Sequence, residues 1–169
     1  MKRYIGAAVR NILDEPEEIK RKLACDPDTR VDILQELAKD DTWGVQVGLA
    51  RNPSTPVEIL NDLIYVSDID VRRSVAGNPS TPVETLRKLA NCGTDVGCAL
   101  AQNPNTPKDM LLALAERNNY PINLSLIENP ELPLDILYRF ILGVSFYPES
   151  LRNFAKETYV KRTQGGQQK

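Results

Sequence analysis

The chain reads as an all-α solenoid of about five two-helix units of 25–26 residues, and three observations predict it. The heptapeptide Asn-Pro-Ser-Thr-Pro-Val-Glu stands at 52–58 and again at 78–84, with looser copies at 26–32, 103–109 and 129–135. The first prolines of the copies, Pro27, Pro53, Pro79, Pro104 and Pro130, are 26, 26, 25 and 26 residues apart. Between copies, apolar residues recur at spacings of three, four and five, a helical period with no strand-like alternation. A unit this short has too little apolar surface to fold alone, so the fold must come from units stacking on their neighbours.

The elements follow in order. Residues 1–18 read as an N-terminal cap, with an amphipathic helix over 4–13 ahead of the turn Asp14-Glu-Pro-Glu-Glu18. Repeats occupy 19–143. Each opens with a short helix, α or 3₁₀, of roughly two turns, whose columns are Ile19, Val45, Val71, Val96, Ile122, then Leu23, Leu49, Val75, Leu100, Leu126, then Ala24, Ala50, Ala76, Ala101, Ile127. Asn-Pro then ends the helix, because the residue before proline is forced out of the helical region. The Asn amide is expected to bond nearby backbone. A longer helix of about three turns follows. Thr29, Thr55, Thr81 and Thr106 read as its N-caps, each with an acid three residues on in a capping-box arrangement. Its inward columns are Leu34, Leu60, Leu86, Leu111, Leu137, then Leu37, Leu63, Leu89, Leu114, Phe140, then Ala38, Ile64, Ala90, Ala115, Ile141. Residues 144–160 read as a C-terminal cap that imitates the short helix, and 161–169 as a disordered polar tail, so 1–160 is expected to be a single repeat domain.

The recurring pattern V-R-x-x-V-A-x-N-P-x-T-P-x-x-x-L-x-x-L-A, present as Val71-Arg-Arg-Ser-Val-Ala-Gly-Asn-Pro-Ser-Thr-Pro82 through Leu86 and Leu89-Ala90, resembles the leucine-rich repeat variant family over roughly 19–143. The resemblance implies a right-handed superhelix of alternating α and 3₁₀ helices. A family member carries an iron-sulfur cluster on a cysteine-rich N-terminal segment. Residues 1–14 hold no cysteine, so no cofactor is carried over.

Composition narrows the function. With 41% hydrophobic and 26% charged residues the chain is globular, and a net charge of −2 with pI ≈ 5.3 provides no global field for polyanions or anionic membrane. No apolar run is long enough for a spanning helix or a signal-peptide core, so a cytoplasmic protein is expected. The chain has no histidine, which removes the commonest general base and metal ligand. Cys25, Cys92 and Cys98 have no paired-motif spacing and read as small buried apolar residues. Paired carboxylates and phosphate-cradling glycine loops are also missing.

The expectation is therefore a non-enzymatic scaffold, monomer or homodimer, without cofactor or metal, that binds a protein or peptide through a repeat-lined surface. Leu112 and Tyr138 lie in an outward column that turns apolar along the chain, and Ala113 and Arg139 lie in its neighbour; together they read as a partner or dimer surface, against the alternative that the C-terminal cap covers them. Trp43 and Tyr65, in links between helices, read as anchors of such a surface or, more commonly for such residues, as plugs between layers. The alternative partner is an anion or nucleic acid held by Arg51, Arg72, Arg73, Arg87 and Lys88. Exposed helix positions are ordinarily charged, and Asp62, Asp68 and Asp70 lie close enough in sequence to neutralise that cluster, so nucleic acid has the weaker support.

Overall fold

The computed structural model describes residues 9–143 and 147–164, and every regular element in them is helical. A 3₁₀ helix at Val9–Asp14 precedes eleven α-helices: α1 Glu17–Cys25, α2 Val31–Leu37, α3 Trp43–Arg51, α4 Val57–Leu63, α5 Ile69–Gly77, α6 Val83–Leu89, α7 Thr94–Gln102, α8 Lys108–Ala115, α9 Tyr120–Glu128, α10 Leu134–Leu142 and α11 Glu149–Gln164. They form two compact units, residues 1–89 and 90–169. In the first, α1, α3 and α5 pack side by side while α2, α4 and α6 lie against them. In the second, α9 packs between α7 and α11, α8 lies against α7 and α9, and α10 packs on α11.

The odd-numbered helices are the short elements of the sequence reading, and they are α-helical with nine residues each through α9. The expected order of lengths is reversed, since α2, α4 and α6 have seven residues and α8 has eight. Two end effects explain the reversal. The second helix stops at Leu37 or Leu63 and turns out through Ala38-Lys39 or Ile64-Tyr65. The link residues that follow become the start of the next first helix: Asp68 accepts hydrogen bonds from the Asp70 and Val71 amides, and Asn119 accepts one from the Ile122 amide. Ala38, expected inward, is exposed at that exit, whereas Ile64 and Ala115 are buried. Ala90 and Ile141 in that column are half-buried, as are Ile19 and Leu23 of the first unit. Leu34, Leu60, Leu86, Leu111, Leu137 and Leu37, Leu63, Leu89, Leu114, Phe140 are buried throughout, as are Ala24, Ala50, Ala76, Ala101 and Ile127.

Each corner has the same backbone. Asp26, Asn52, Asn78, Asn103 and Asn129 end their helices in extended conformation, with ψ between 117° and 126°, as a following proline demands. The Asn side chain does more than its expected local bond. In Asn78, Oδ1 accepts from the Ser80 amide at 2.8 Å, and Nδ2 donates to the carbonyls of Ala50 and Asn52, both at 2.9 Å, one repeat earlier. Asn52 repeats the arrangement on Ala24, Asp26 and Ser54, and Asn129 donates to Ala101. The Ala carbonyls lie in the last turn of α1, α3 and α7, where a helix cannot satisfy them itself, so each of these helices is capped by the following repeat. Ser54 and Ser80 add bonds to the carbonyls of Pro27 and Pro53.

The threonines differ from the sequence expectation. None bonds the amides of its own helix. Thr29, Thr55, Thr81 and Thr106 each donate from Oγ1 to the carbonyl six residues back, Leu23, Leu49, Val75 and Leu100, at 2.6–2.7 Å. They close the corner onto the preceding helix, and the residue after each Thr is the one whose carbonyl accepts the first bond of the next helix, as Pro56 does from the Leu60 amide. Corner burial explains the swap, because a hydroxyl taken from water bonds the nearest open acceptor.

Small residues set the approach of the first helices. A Cβ added at Gly48 would lie 2.8 Å from Ala24 Cβ and 3.1 Å from Cys25 Sγ. Cys25 itself is exposed and Cys92 and Cys98 are half-buried, so the expectation of three buried cysteines fails; Cys25 closes α1 on its outward side. At the ends, Ile12 is buried and the 3₁₀ helix packs on α2, while residues 1–8, which include 4–8 of the expected cap helix, lie outside the described residues. The C-terminal helix buries Leu151 and Ala155 and continues to Gln164, past Val160, so 161–164 are its last turn and not tail; 144–146 and 165–169 lie outside the described residues.

Asn78→Ala should lower the unfolding free energy by about 2–4 kcal/mol in urea titration, because two buried carbonyls lose a donor. Thr81→Val should cost only about 1 kcal/mol, because the Val75 carbonyl keeps its bond from the Asn78 amide. In an exposed helix Gly48→Ala would gain about 1 kcal/mol. Here overpacking of roughly 1–3 kcal/mol should outweigh that gain and lower the urea midpoint.

Candidate functional site

Two surfaces gather the residues that sequence reading singled out. The first lies at the ends of α3 and α5. Arg51, the last residue of α3, and Arg73, in the middle of α5, line a groove of about 300 Å³ with Ser74, Gly77 and Asn78. Arg51 Nε donates to Ser74 Oγ at 3.3 Å, and Arg73 pairs with Asp70 at 2.9 Å. Gly77 occupies in α5 the position that Arg51 occupies in α3, and the lack of a side chain there opens the groove. Arg72 is turned away and donates from Nη1 to the Val66 carbonyl, while Arg87 and Lys88 are exposed on α6 and do not line the groove. Five candidate cations thus resolve into one pair. Asp68 is engaged as the cap of α5 and Asp70 neutralises Arg73, so the arginine pair keeps a net charge of about +1.

The second surface is on α10. Leu134, Tyr138 and Leu142, four residues apart, are 38%, 47% and 56% exposed, an apolar stripe along one helix. The Tyr138 ring lies 5.8 Å from that of Tyr159 on α11, so the C-terminal helix flanks the stripe without covering it. Ala113 is exposed and Leu112 half-buried on α8. Arg139 instead lines a cavity of about 160 Å³ with Glu116, Asn118, Phe140 and Tyr147. Tyr147 Oη donates to Asn118 Oδ1 at 2.9 Å, its ring packs edge-on against Phe140, and burial pushes its phenol pKa up against the smaller opposing effect of Arg139. Asn118 holds φ 52°, which Asn tolerates better than most residues.

Trp43, the first residue of α3, and Tyr65, in the turn after α4, are 54% and 74% exposed, so neither is a plug between layers. Ser74, Gly77, Leu134 and Leu142 are the participants that sequence reading missed. Leu134 falls in the column Val31, Val57, Val83, whose members are 51%, 40% and 36% exposed, a signal available only once the corner geometry places that column outward.

Residues 69–91 match the leucine rich repeat variant family. The matched stretch runs from the start of α5 through the corner and α6, and so takes in one leucine rich repeat variant unit with its Asn78 bridge and part of the arginine groove. The comparisons with curated proteins and with solved structures found no match. Among the described residues no group of three His, Cys, Asp or Glu side chains could hold a metal ion, and no helix is long and apolar enough to cross a membrane.

One buried ion pair predicts a pH dependence of stability. Lys20 on α1 contacts Asp40 at 2.5 Å, with side chains 13% and 8% exposed, and Asp40 also accepts from the Thr42 amide at 2.8 Å. Burial raises the Asp40 pKa, but the bonds from Lys20 and Thr42 together outweigh it and hold the carboxyl below its usual range. A depressed carboxylate pKa stabilises the fold above the unfolded value of about 3.9, and that stability is lost as pH falls through the lower folded value. Wild type should therefore lose urea resistance between pH 4.5 and 2.5 more steeply than Asp40→Asn, which should be weaker at neutral pH and flatter over that interval.

Proposed function

We propose that the protein is a non-enzymatic scaffold whose repeats form a right-handed α-solenoid and hold a protein or peptide partner on their outward face. The observation that carries the reading is the Leu134, Tyr138, Leu142 stripe, since a soluble domain seldom leaves an aligned set of large apolar side chains in water unless they meet a partner. Further support comes from the match at 69–91, because leucine rich repeat variant units are generally protein-interaction modules, and from the 25–26-residue period that runs on through both compact units in the sequence. A single repeat domain over 1–160, a cytoplasmic setting and a monomer or homodimer belong to the same proposal. Arg139 joins it less directly than Tyr138, because it faces a cavity; Leu112, Ala113, Trp43 and Tyr65 are secondary contacts.

The nucleic-acid reading draws on the arginine groove, but two lining cations, one already paired, are too few for the several phosphate contacts that such binding requires.

Purified protein immobilised at a surface-exposed tag should capture the same discrete partner from native lysate in repeated experiments. Tyr138→Ala with Leu142→Ser should reduce that capture at least tenfold while lowering the unfolding free energy by no more than about 2 kcal/mol, since Tyr138 gives up its ring contact with Tyr159 and Leu142 is exposed. Undiminished capture by the double variant would overturn the reading.

A further inference from the structure

We infer that the groove between α3 and α5 is a carboxylate-binding subsite for an acidic peptide segment, with Arg51 as its principal ligand group and Arg73 and Ser74 completing it. The inference rests on the scaffold reading and names its partner chemistry. The groove combines two guanidinium groups, a hydroxyl and about 300 Å³ of open space within one repeat boundary. Arg51 has no carboxylate within ion-pair distance among the described residues, and its one hydrogen bond, from Nε to Ser74 Oγ, fixes the guanidinium plane while leaving both Nη groups to a ligand. A planar fork so presented matches a carboxylate in two parallel hydrogen bonds, which an ammonium could not do. Asn78 contributes wall and not ligand contacts, because its amide is committed to Ala50, Asn52 and Ser80.

Three features select a carboxylate over a phosphate polymer. The groove lies where α3 and α5 end, so their carbonyl ends disfavour a multiply charged anion more than a singly charged one. Asp70, paired with Arg73, lowers the field further. No aromatic ring lines the groove to stack a base. What remains suits a Glu or Asp side chain, or a chain terminus, presented on an extended peptide.

The test is an NMR titration of the ¹⁵N-labelled full chain with acetyl-triglutamate amide, the neutral acetyl-triglutamine amide, and a thymidine oligonucleotide. The glutamate peptide should shift the Arg51 and Arg73 side-chain Nε–Hε resonances and the Ser74 amide saturably, and the glutamine peptide should not. Arg51→Gln should weaken the glutamate peptide about tenfold, with Arg51→Lys in between because charge is kept and the fork is lost. Variant spectra unchanged outside the groove establish folding. Absence of a shift at Arg51, equal shifts with the glutamine peptide, or a stronger response to the oligonucleotide would each overturn the inference. The two proposals fail separately. Capture that depends on Tyr138 together with a silent groove would overturn the carboxylate subsite alone, whereas groove binding with capture indifferent to Tyr138 and Leu142 would overturn the scaffold reading as argued from α10.

Discussion

The fold depends on a hydrogen bond that no repeat can make alone. The last turn of α1, α3 or α7 leaves an alanine carbonyl without a helical partner, and the proline corner removes the chain's own means of capping it. Asn52, Asn78 and Asn129 supply the donor from one repeat further on, while their own carbonyl oxygens hold the corner amide two residues ahead. Asn52 and Asn78 each make two amide donor bonds in a buried position, where an unmade bond would be costly, and Asn129 makes one. Removing a repeat would orphan the carbonyls of its neighbour, so stability is a property of adjacent pairs.

That bond also dictates the packing. For Nδ2 to reach the Ala24 and Ala50 carbonyls, neighbouring first helices must approach closely, and Gly48 lies against Ala24 with no room for a Cβ, while the small Ser74 occupies the equivalent position of α5. The threonine hydroxyls then fasten each corner to the helix before it, and the leucine columns fill the space behind. Where the Thr is replaced, by Leu132, the side chain is completely buried, so apolar packing takes the place of the hydroxyl bond. With corners and core so constrained, variation is left to outward positions. There the first unit carries the Arg51–Arg73 groove and the second the apolar stripe of α10.

Several particulars show why sequence reading reached the architecture and missed parts of the chemistry. Periodicity revealed the buried leucine and alanine columns because burial at fixed spacing is a local pattern. The capping-box reading of Thr81 failed for the opposite reason: Thr, Pro and Glu at those spacings satisfy a helix start on paper, but the hydroxyl chose the Val75 carbonyl already held close by the corner. Cys25 was expected inside by residue type and lies outside by helical phase. Among the arginines, sequence proximity suggested one cluster of five, and the fold separated it into a groove-lining pair, a guanidinium bonded to backbone at Arg72, and two residues on another helix.

The sequence by itself determined the repeat length, the helical class, the corner at each Asn-Pro and the identity of the core columns, because all of these follow from local dihedral limits and one-dimensional burial periodicity. Tertiary structure alone decided which acceptor each Asn and Thr would find, which outward side chains would share a surface, and which charges would be neutralised. Those outcomes depend on distances between residues about one repeat apart, such as the 28-residue span from Asn78 to Ala50. No pattern along the chain encodes such a distance until the helices have packed.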